Sequence, residues 1–164
     1  CFAATEPTVG LELRVDESAR KIYMSDTGLL ISHSFSEAKI RAEELYRKLM
    51  HDKIEINKGM LVENIVAQML RARGHKLYFF SSYSKTDADD RIEIDFLIPK
   101  PVISNRHNIH PIEVKSSSRY TLTSLNKFVA KYANALAEPI VLHSSDLKVE
   151  GGKLFLPLYM AELL

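Results

Sequence analysis

Apolar and polar positions alternate most strictly between Arg91 and Lys115. Ile92, Ile94, Phe96 and Ile98 alternate with Glu93, Asp95 and Leu97; after a polar loop, Ile112 and Val114 alternate with Glu113 and Lys115. A strand has a side-chain period of two, so the pattern predicts two strands, with Glu93 and Asp95 on a common face and Glu113 and Lys115 likewise. Upstream, residues 11–15 and 20–24 alternate around Asp16 to Ala19 and predict a β-hairpin. Ser25 to Gly28 read as a turn before the apolar Leu29 to Ile31. Ser34 and Glu37 form a capping-box pattern that predicts a helix to about Leu49, with Ala38, Ala42, Leu45, Tyr46 and Leu49 inward. Lys39, Arg41, Arg47 and Lys48 fall on its solvated face.

A second helix is predicted over residues 59–73, with Val62, Ile65, Val66, Met69 and Leu70 as its apolar stripe and Gly74 as a left-handed cap. Glu63 falls on the edge of that stripe, where it either looks into the margin of a sheet or complements the helix dipole from the first turn. Leu77 to Phe80 read as a strand, Ser81 to Asp90 as a polar hairpin loop, and residues 99–111 as a loop with three prolines. A helix over 122–137 has Leu122, Leu125, Val129, Tyr132 and Leu136 inward. Ile140 to Leu142 make a strand, Gly151-Gly152 a turn, and Lys153 to Leu156 a last edge strand. From residue 59 the order is helix, strand, strand, strand, helix, strand.

The chain has 164 residues, enough for one domain with a small appendage, and 46% hydrophobic with 26% charged residues is ordinary for a packed core. It divides into a hairpin and linker segment at 1–33 and a larger domain at 34–164. A formal net charge of +1 gives no bulk attraction to nucleic acid, so any such contact has to come from a local patch. The single Cys1 excludes an internal disulfide and predicts a reducing, cytoplasmic setting. No apolar run is long enough to span a membrane, and no signal-peptide pattern is present. The chain begins at Cys1, not Met, and reads as a fragment of something longer.

If the strands bearing Asp95 and Glu113 pair, two or three carboxylates and one ammonium converge. Half-buried carboxylates are costly unless they are paired or bind a cation. A cluster of hard oxygens beside a lysine suits Mg²⁺ (or Mn²⁺) and a phosphate substrate. The plainer reading makes them solvent-facing charges on a hairpin, with Glu113 and Lys115 paired across strands. Arg119, with Lys127 and Lys131 at i, i+4, supplies candidate phosphate contacts near the strand end, or simply a solvated face. Ser116 to Ser118 add hydroxyls to the same loop. His107 and His110 have the spacing to begin a zinc site but lack further ligands, and Asp87, Asp89 and Asp90 lack the Gly and Glu of a calcium loop.

Asp95, then roughly twenty residues, then Glu113-x-Lys115 on an apolar strand resembles the signature of the PD-(D/E)xK nuclease superfamily. The αβββαβ order agrees, and Glu63 matches the additional acid that this fold commonly carries on its first helix. The resemblance implies an α/β fold with a mixed sheet flanked by helices. It also implies Mg²⁺ or Mn²⁺ held by Asp95, Glu113 and Glu63, catalysis by these with Lys115, and a nucleic acid, DNA foremost, as substrate. KIYMSDTGLL, GMLVENIVAQMLRARGHKLYFF, EIDFLI, PIEVKSS and LPLYM are similar more closely to the C-terminal domain of unknown function of prokaryotic AAA+ family ATPases. That resemblance implies an N-terminal P-loop ATPase as partner domain, with ATP bound there, and it admits an oligomer; the initial hairpin would be a remnant of a winged-helix-like segment. No G-x-x-x-x-G-K-[ST] occurs in these 164 residues. A fold can be kept while its function changes, so the other reading is a catalytically inactive nuclease-fold module that binds DNA or protein, or assembles the attached ATPase.

Overall fold

The computed structural model describes residues 1–34, 43–44, 47, 57–83, 90–101 and 107–164. Eight strands form one mixed sheet: β1 (Phe2–Ala4), β2 (Val15–Arg20), β3 (Tyr78–Ser82), β4 (Ile92–Pro99), β5 (Ile109–Val114), β6 (Ile140–His143), β7 (Lys148–Glu150) and β8 (Lys153–Pro157). Their spatial order is β2-β1-β3-β4-β5-β6-β8-β7. Helices among the described residues include α1 (Thr27–Ser34), α2 (Lys58–Ala72) and α3 (Thr123–Tyr132), with short 3₁₀ turns at Leu11–Leu13 and Leu158–Leu163. From α2 onward the chain runs helix, three antiparallel strands, helix, then β6 returning parallel to β5. The parallel return needs a crossover, which α3 provides.

Two apolar layers sandwich the sheet. On one side Leu125 and Phe128 of α3 pack with Ile92, Ile94, Leu97 and Val141; on the other Val66, Ala67 and Leu70 of α2 pack with Phe96, Ile98, Ile112 and Leu142. Full burial of side chains of this size stabilises by roughly 1.5–3 kcal/mol each, so these two layers hold the sheet between its helices. Gly74 has φ +91°, and His75 N–H reaches back to the Leu70 carbonyl at 3.1 Å, the left-handed helix ending expected there.

Several elements differ from the sequence pattern. The hairpin is formed by β1 and β2, not by residues 11–15 and 20–24: Ala4 pairs with Val15, and β1 also joins β3 in parallel. Leu13 and Ile22 are exposed, whereas Lys21 and Tyr23 turn toward α2, because their polar ends find partners there. Ser34 is the last residue of α1, with its hydroxyl bonded back to the Leu30 carbonyl at 2.9 Å. Asp26 caps α1, accepting from Leu29 N–H at 2.9 Å. The rest of the helix expected to Leu49 lies outside the described residues, apart from residues 43, 44 and 47, which are helical. The stripe of α2 is rotated: Ile65 is exposed, while Asn64 and Ala67 are buried. The cause is the segment after β2, whose Met24 N–H and carbonyl both bond the Asn64 amide.

The loop expected over 99–111 is shorter, since Ile109 to Pro111 already belong to β5. Pro111 is accommodated there because the ladder to β6 starts only at Ile112. The helix expected to 137 ends at Tyr132; Leu136 instead bridges to Ile109. Residues 153–157 are interior to the sheet, and the edge is β7, whose Lys148 and Glu150 pair with one another at 2.6 Å.

Candidate active site at a fork in the sheet

The ladder between β4 and β5 runs from Pro99↔Ile109 to Phe96↔Ile112 and then stops. Beyond that point β4 stays with β3, through Phe80↔Ile94 and Ser81↔Glu93, while β5 stays with β6, through Glu113↔Val141 and Val114↔Leu142. The sheet therefore opens into a fork, and Asp95 stands at its vertex. Its Oδ2 accepts from Val114 N–H at 2.8 Å, which replaces the ladder bond lost where the strands part.

A register break accompanies the fork: Tyr78 pairs with Leu97 but Phe80 with Ile94, so β4 carries one extra residue there. Such a bulge re-aims the side chains around it. Ile92, Ile94 and Leu97 consequently lie in one apolar layer and Phe96 and Ile98 in the other, instead of the single apolar face that strict alternation predicts.

The fork opens on a cleft of about 320 Å³ lined by Glu63, Glu93, Asp95, Glu113, Lys115 and Ser124, with Gly59 and Val114. α2 delivers Glu63 from its first turns; Asn57 caps this helix by accepting from Met60 N–H at 3.1 Å. Lys115 Nζ reaches Glu113 Oε1 at 2.7 Å, the shared face that their i, i+2 spacing implies. The structure thus brings together Glu63, Asp95, Glu113 and Lys115. Arg119, Lys127 and Lys131 are not among the lining residues; Lys131 lies 3.7 Å from Asp90. Ser117 Oγ bonds the Arg119 carbonyl at 2.8 Å, so its hydroxyl serves the loop. His107 and His110 each bond a backbone carbonyl through Nδ1, those of Leu136 and Glu138.

Two residues of the neighbouring cavity, which shares Glu63 and Glu93 with the cleft, escaped the sequence reading. Lys21 Nζ lies 2.8 Å from Glu93, 3.1 Å from Glu63 and 3.7 Å from Asp95. The Tyr23 hydroxyl donates to Glu63 Oε1. Both come from the segment after β2. Their i, i+2 spacing in RKIYM was visible, but as the face of a strand with no stated partner.

The electrostatics follow from burial. Asp95 is pushed up to about 7, first by loss of water, then by the charges of Glu113 and Glu63; Val114 N–H and Lys21 pull the other way. Glu113 is likewise raised by burial, with Lys115 opposing. Burial disfavours the Lys21 ammonium, yet its hydrogen bond to Glu93 and the fields of Glu63 and Asp95 outweigh that and raise its pKa. Tyr23 is raised by burial and by Glu63, so it is a neutral donor.

Glu113 is nine-tenths buried, and its Oε2 has no hydrogen-bond partner. A buried carboxylate oxygen without a partner costs about 1–3 kcal/mol or more. An arriving cation would remove that cost. Among the described residues no three His, Cys, Asp or Glu side chains are already grouped as a metal cage. The Lys21 ammonium stands among Glu63, Glu93 and Asp95 instead. The donor chemistry fits a hard divalent ion, with Glu113 Oε2 and Asp95 as the natural first oxygens.

Fold and cleft together define a mixed α/β domain with acidic and basic side chains gathered at a split in its sheet. Residues 58–161, well over half of the chain, match the family described as domain of unknown function (DUF4143), and the chain belongs to that family. No curated protein and no solved structure matches it. Among the described residues no helix is long and apolar enough to cross a membrane. Lys21 and Tyr23 lie outside the matched residues.

Proposed function

We propose that this domain is a metal-dependent nuclease module with a PD-(D/E)xK core, joined in the full-length protein to an AAA+ ATPase and hydrolysing phosphodiester bonds in nucleic acid, DNA foremost. The observation that carries the reading is the fork: Asp95 and Glu113 come from the two diverging strands, Lys115 follows on the same face as Glu113, and a buried Glu113 oxygen is left unpartnered. The residues that would hold Mg²⁺ or Mn²⁺ are Asp95 and Glu113, with Glu63 beside them. When bound, such an ion polarises a phosphate and lowers the pKa of a coordinated water.

The protein's own part is positional and electrostatic. Glu113 Oε1 tethers the Lys115 ammonium in the cleft, where it would meet the developing charge on a non-bridging phosphate oxygen. Asp95 is fixed at the vertex by Val114 N–H, which leaves Oδ1 facing the cleft side, where Lys21 lies. Ser124, near the start of α3, also lines the cleft. ATP would bind in the attached ATPase, and an oligomer would follow from that domain.

The test is the full-length protein on a panel of labelled duplex, single-stranded and branched DNA and RNA. Cleavage is expected with Mg²⁺ or Mn²⁺ and is expected to vanish with a chelator. Cleavage that persists after chelation removes the reading. One observation favours the alternative, an inactive module for DNA or protein binding or for ATPase assembly: Lys21 already neutralises part of the acidic cluster. Absence of cleavage on every substrate would select it.

Nucleic-acid binding by this domain is expected to be weak and salt-sensitive, through Lys115, Arg119, Lys127 and Lys131, because a net charge of +1 adds little general attraction. On duplex DNA the slope of log affinity against log salt should be about −0.9 per phosphate neutralised. Fluorescence anisotropy across a salt series checks it; binding unchanged by salt, or by Lys127→Glu with Lys131→Glu, excludes this surface.

A further inference from the structure

We propose that Lys21 is a tethered cation that competes with a divalent metal for the acidic cleft, so that the segment following β2 sets the metal affinity of the site. The inference rests on the reading that the cleft accepts such a metal, and concerns what controls its entry. The Lys21 ammonium makes its closest contacts with Glu93 and Glu63 and lies 3.7 Å from Asp95, so it occupies the side of the cleft from which these carboxylates would reach an ion. Two like charges cannot share that space in a partly dry cleft without large repulsion.

The placement is built, not incidental. The Lys21 backbone is bonded at both ends to Cys1, its N–H to the Cys1 carbonyl at 3.1 Å and its carbonyl to the Cys1 nitrogen at 3.0 Å. Its ammonium lies 5.4 Å from the centre of the Phe79 ring. Three residues on, Met24 is held by the Asn64 side chain, and its carbonyl also accepts from Gln68. The segment is thus anchored at the lysine itself and three residues after it, and the lysine comes from outside the residues that match the family. Glu113 Oε2 is buried and has no hydrogen-bond partner, so it is there that a metal would first gain a ligand.

Removing the ammonium should therefore open the cleft to metal. Mn²⁺ titration by calorimetry on the 164-residue chain is expected to give about tenfold tighter binding, or more, for Lys21→Met than for the parent, the scale on which a charge within ~4–6 Å moves an ionic equilibrium. Equal or weaker binding in Lys21→Met, with the parent binding, overturns the competition and leaves the metal reading standing. No binding by either protein overturns both. A readout on the parent guards against a variant that fails to fold: reductive methylation of Lys21, followed by mass spectrometry, should increase when Mn²⁺ is added, because the displaced ammonium becomes accessible. Unchanged labelling at the highest tolerated Mn²⁺ also overturns the proposal.

Discussion

Lys115→Ala is expected to lower phosphodiester cleavage by a factor of about 10² or more, the scale for removing one transition-state stabiliser, while leaving Mn²⁺ affinity intact or slightly raised. Asp95→Ala is expected to abolish both. The contrast comes from their places in the fork. Asp95 stands at the vertex and offers the cleft an oxygen; Lys115 offers only a cation, held 2.7 Å from Glu113. Removing that cation takes away a charge that would repel an arriving metal ion. It also strips Glu113 of the Lys115 ammonium, so some loss of stability should accompany the loss of rate, and a melting curve is needed beside each rate. Lys115→Arg is not expected to restore the rate fully, because a planar guanidinium differs from the compact ammonium in shape and hydration. Mn²⁺ affinity and cleavage rate, measured side by side, decide the matter. If Asp95→Ala binds metal as well as the parent does, the nuclease reading fails and the binding-module reading replaces it. A pair of solvent-facing charges would give modest stability changes in both variants and no metal effect in either.

The elements that position this site were legible because each is strongly periodic. The helix bearing Glu63 and the strands bearing Asp95 and Glu113 were readable from apolar spacing alone, and so was the common face of Glu113 and Lys115. The fork itself was not. It depends on where two ladders stop, at Phe96↔Ile112, and on one extra residue in β4 opposite β3. Strict alternation cannot reveal such a bulge, since Leu97 and Ile98 are both apolar and fit either phase. Lys21 and Tyr23 were missed for another reason. Their partner, Glu63, is some forty residues away on a helix, and only the tertiary fold brings them together. Asn64 shows the same effect: a polar residue beside an apolar stripe looks solvated until Met24 is placed against it.

The same burial that shapes the site should leave a thermodynamic mark: Asp95→Asn is expected to stabilise the fold at about pH 8, by on the order of 1–3 kcal/mol, and to have little effect below the ordinary carboxylate range. Asp95 is raised from an ordinary carboxylate value to about 7, by burial first and then by Glu113 and Glu63. Between those two values the folded chain holds a proton that the unfolded chain has released. The folded state therefore binds more protons, and stability falls as pH rises. The contribution is fully present below the unfolded value and is lost as pH passes through about 7. Above that, the fold has to keep a charged carboxylate in a place that disfavours it. Asparagine keeps an acceptor for Val114 N–H and carries no charge, so it escapes this cost. Glu113, raised in the same direction, adds to the alkaline loss in both proteins. A magnitude near the upper end is held back by Lys21, which loses one of its carboxylates in the variant. Saturating Mg²⁺ should close the gap from the other side, stabilising the parent by binding its native state and leaving the variant unmoved. Urea unfolding of both proteins across this pH range, with and without Mg²⁺, measures all of it. Were Asp95 simply an ion-pair partner of Lys21, the substitution would destabilise at about pH 8 instead, and that sign would refute the account of a strained, cation-seeking carboxylate.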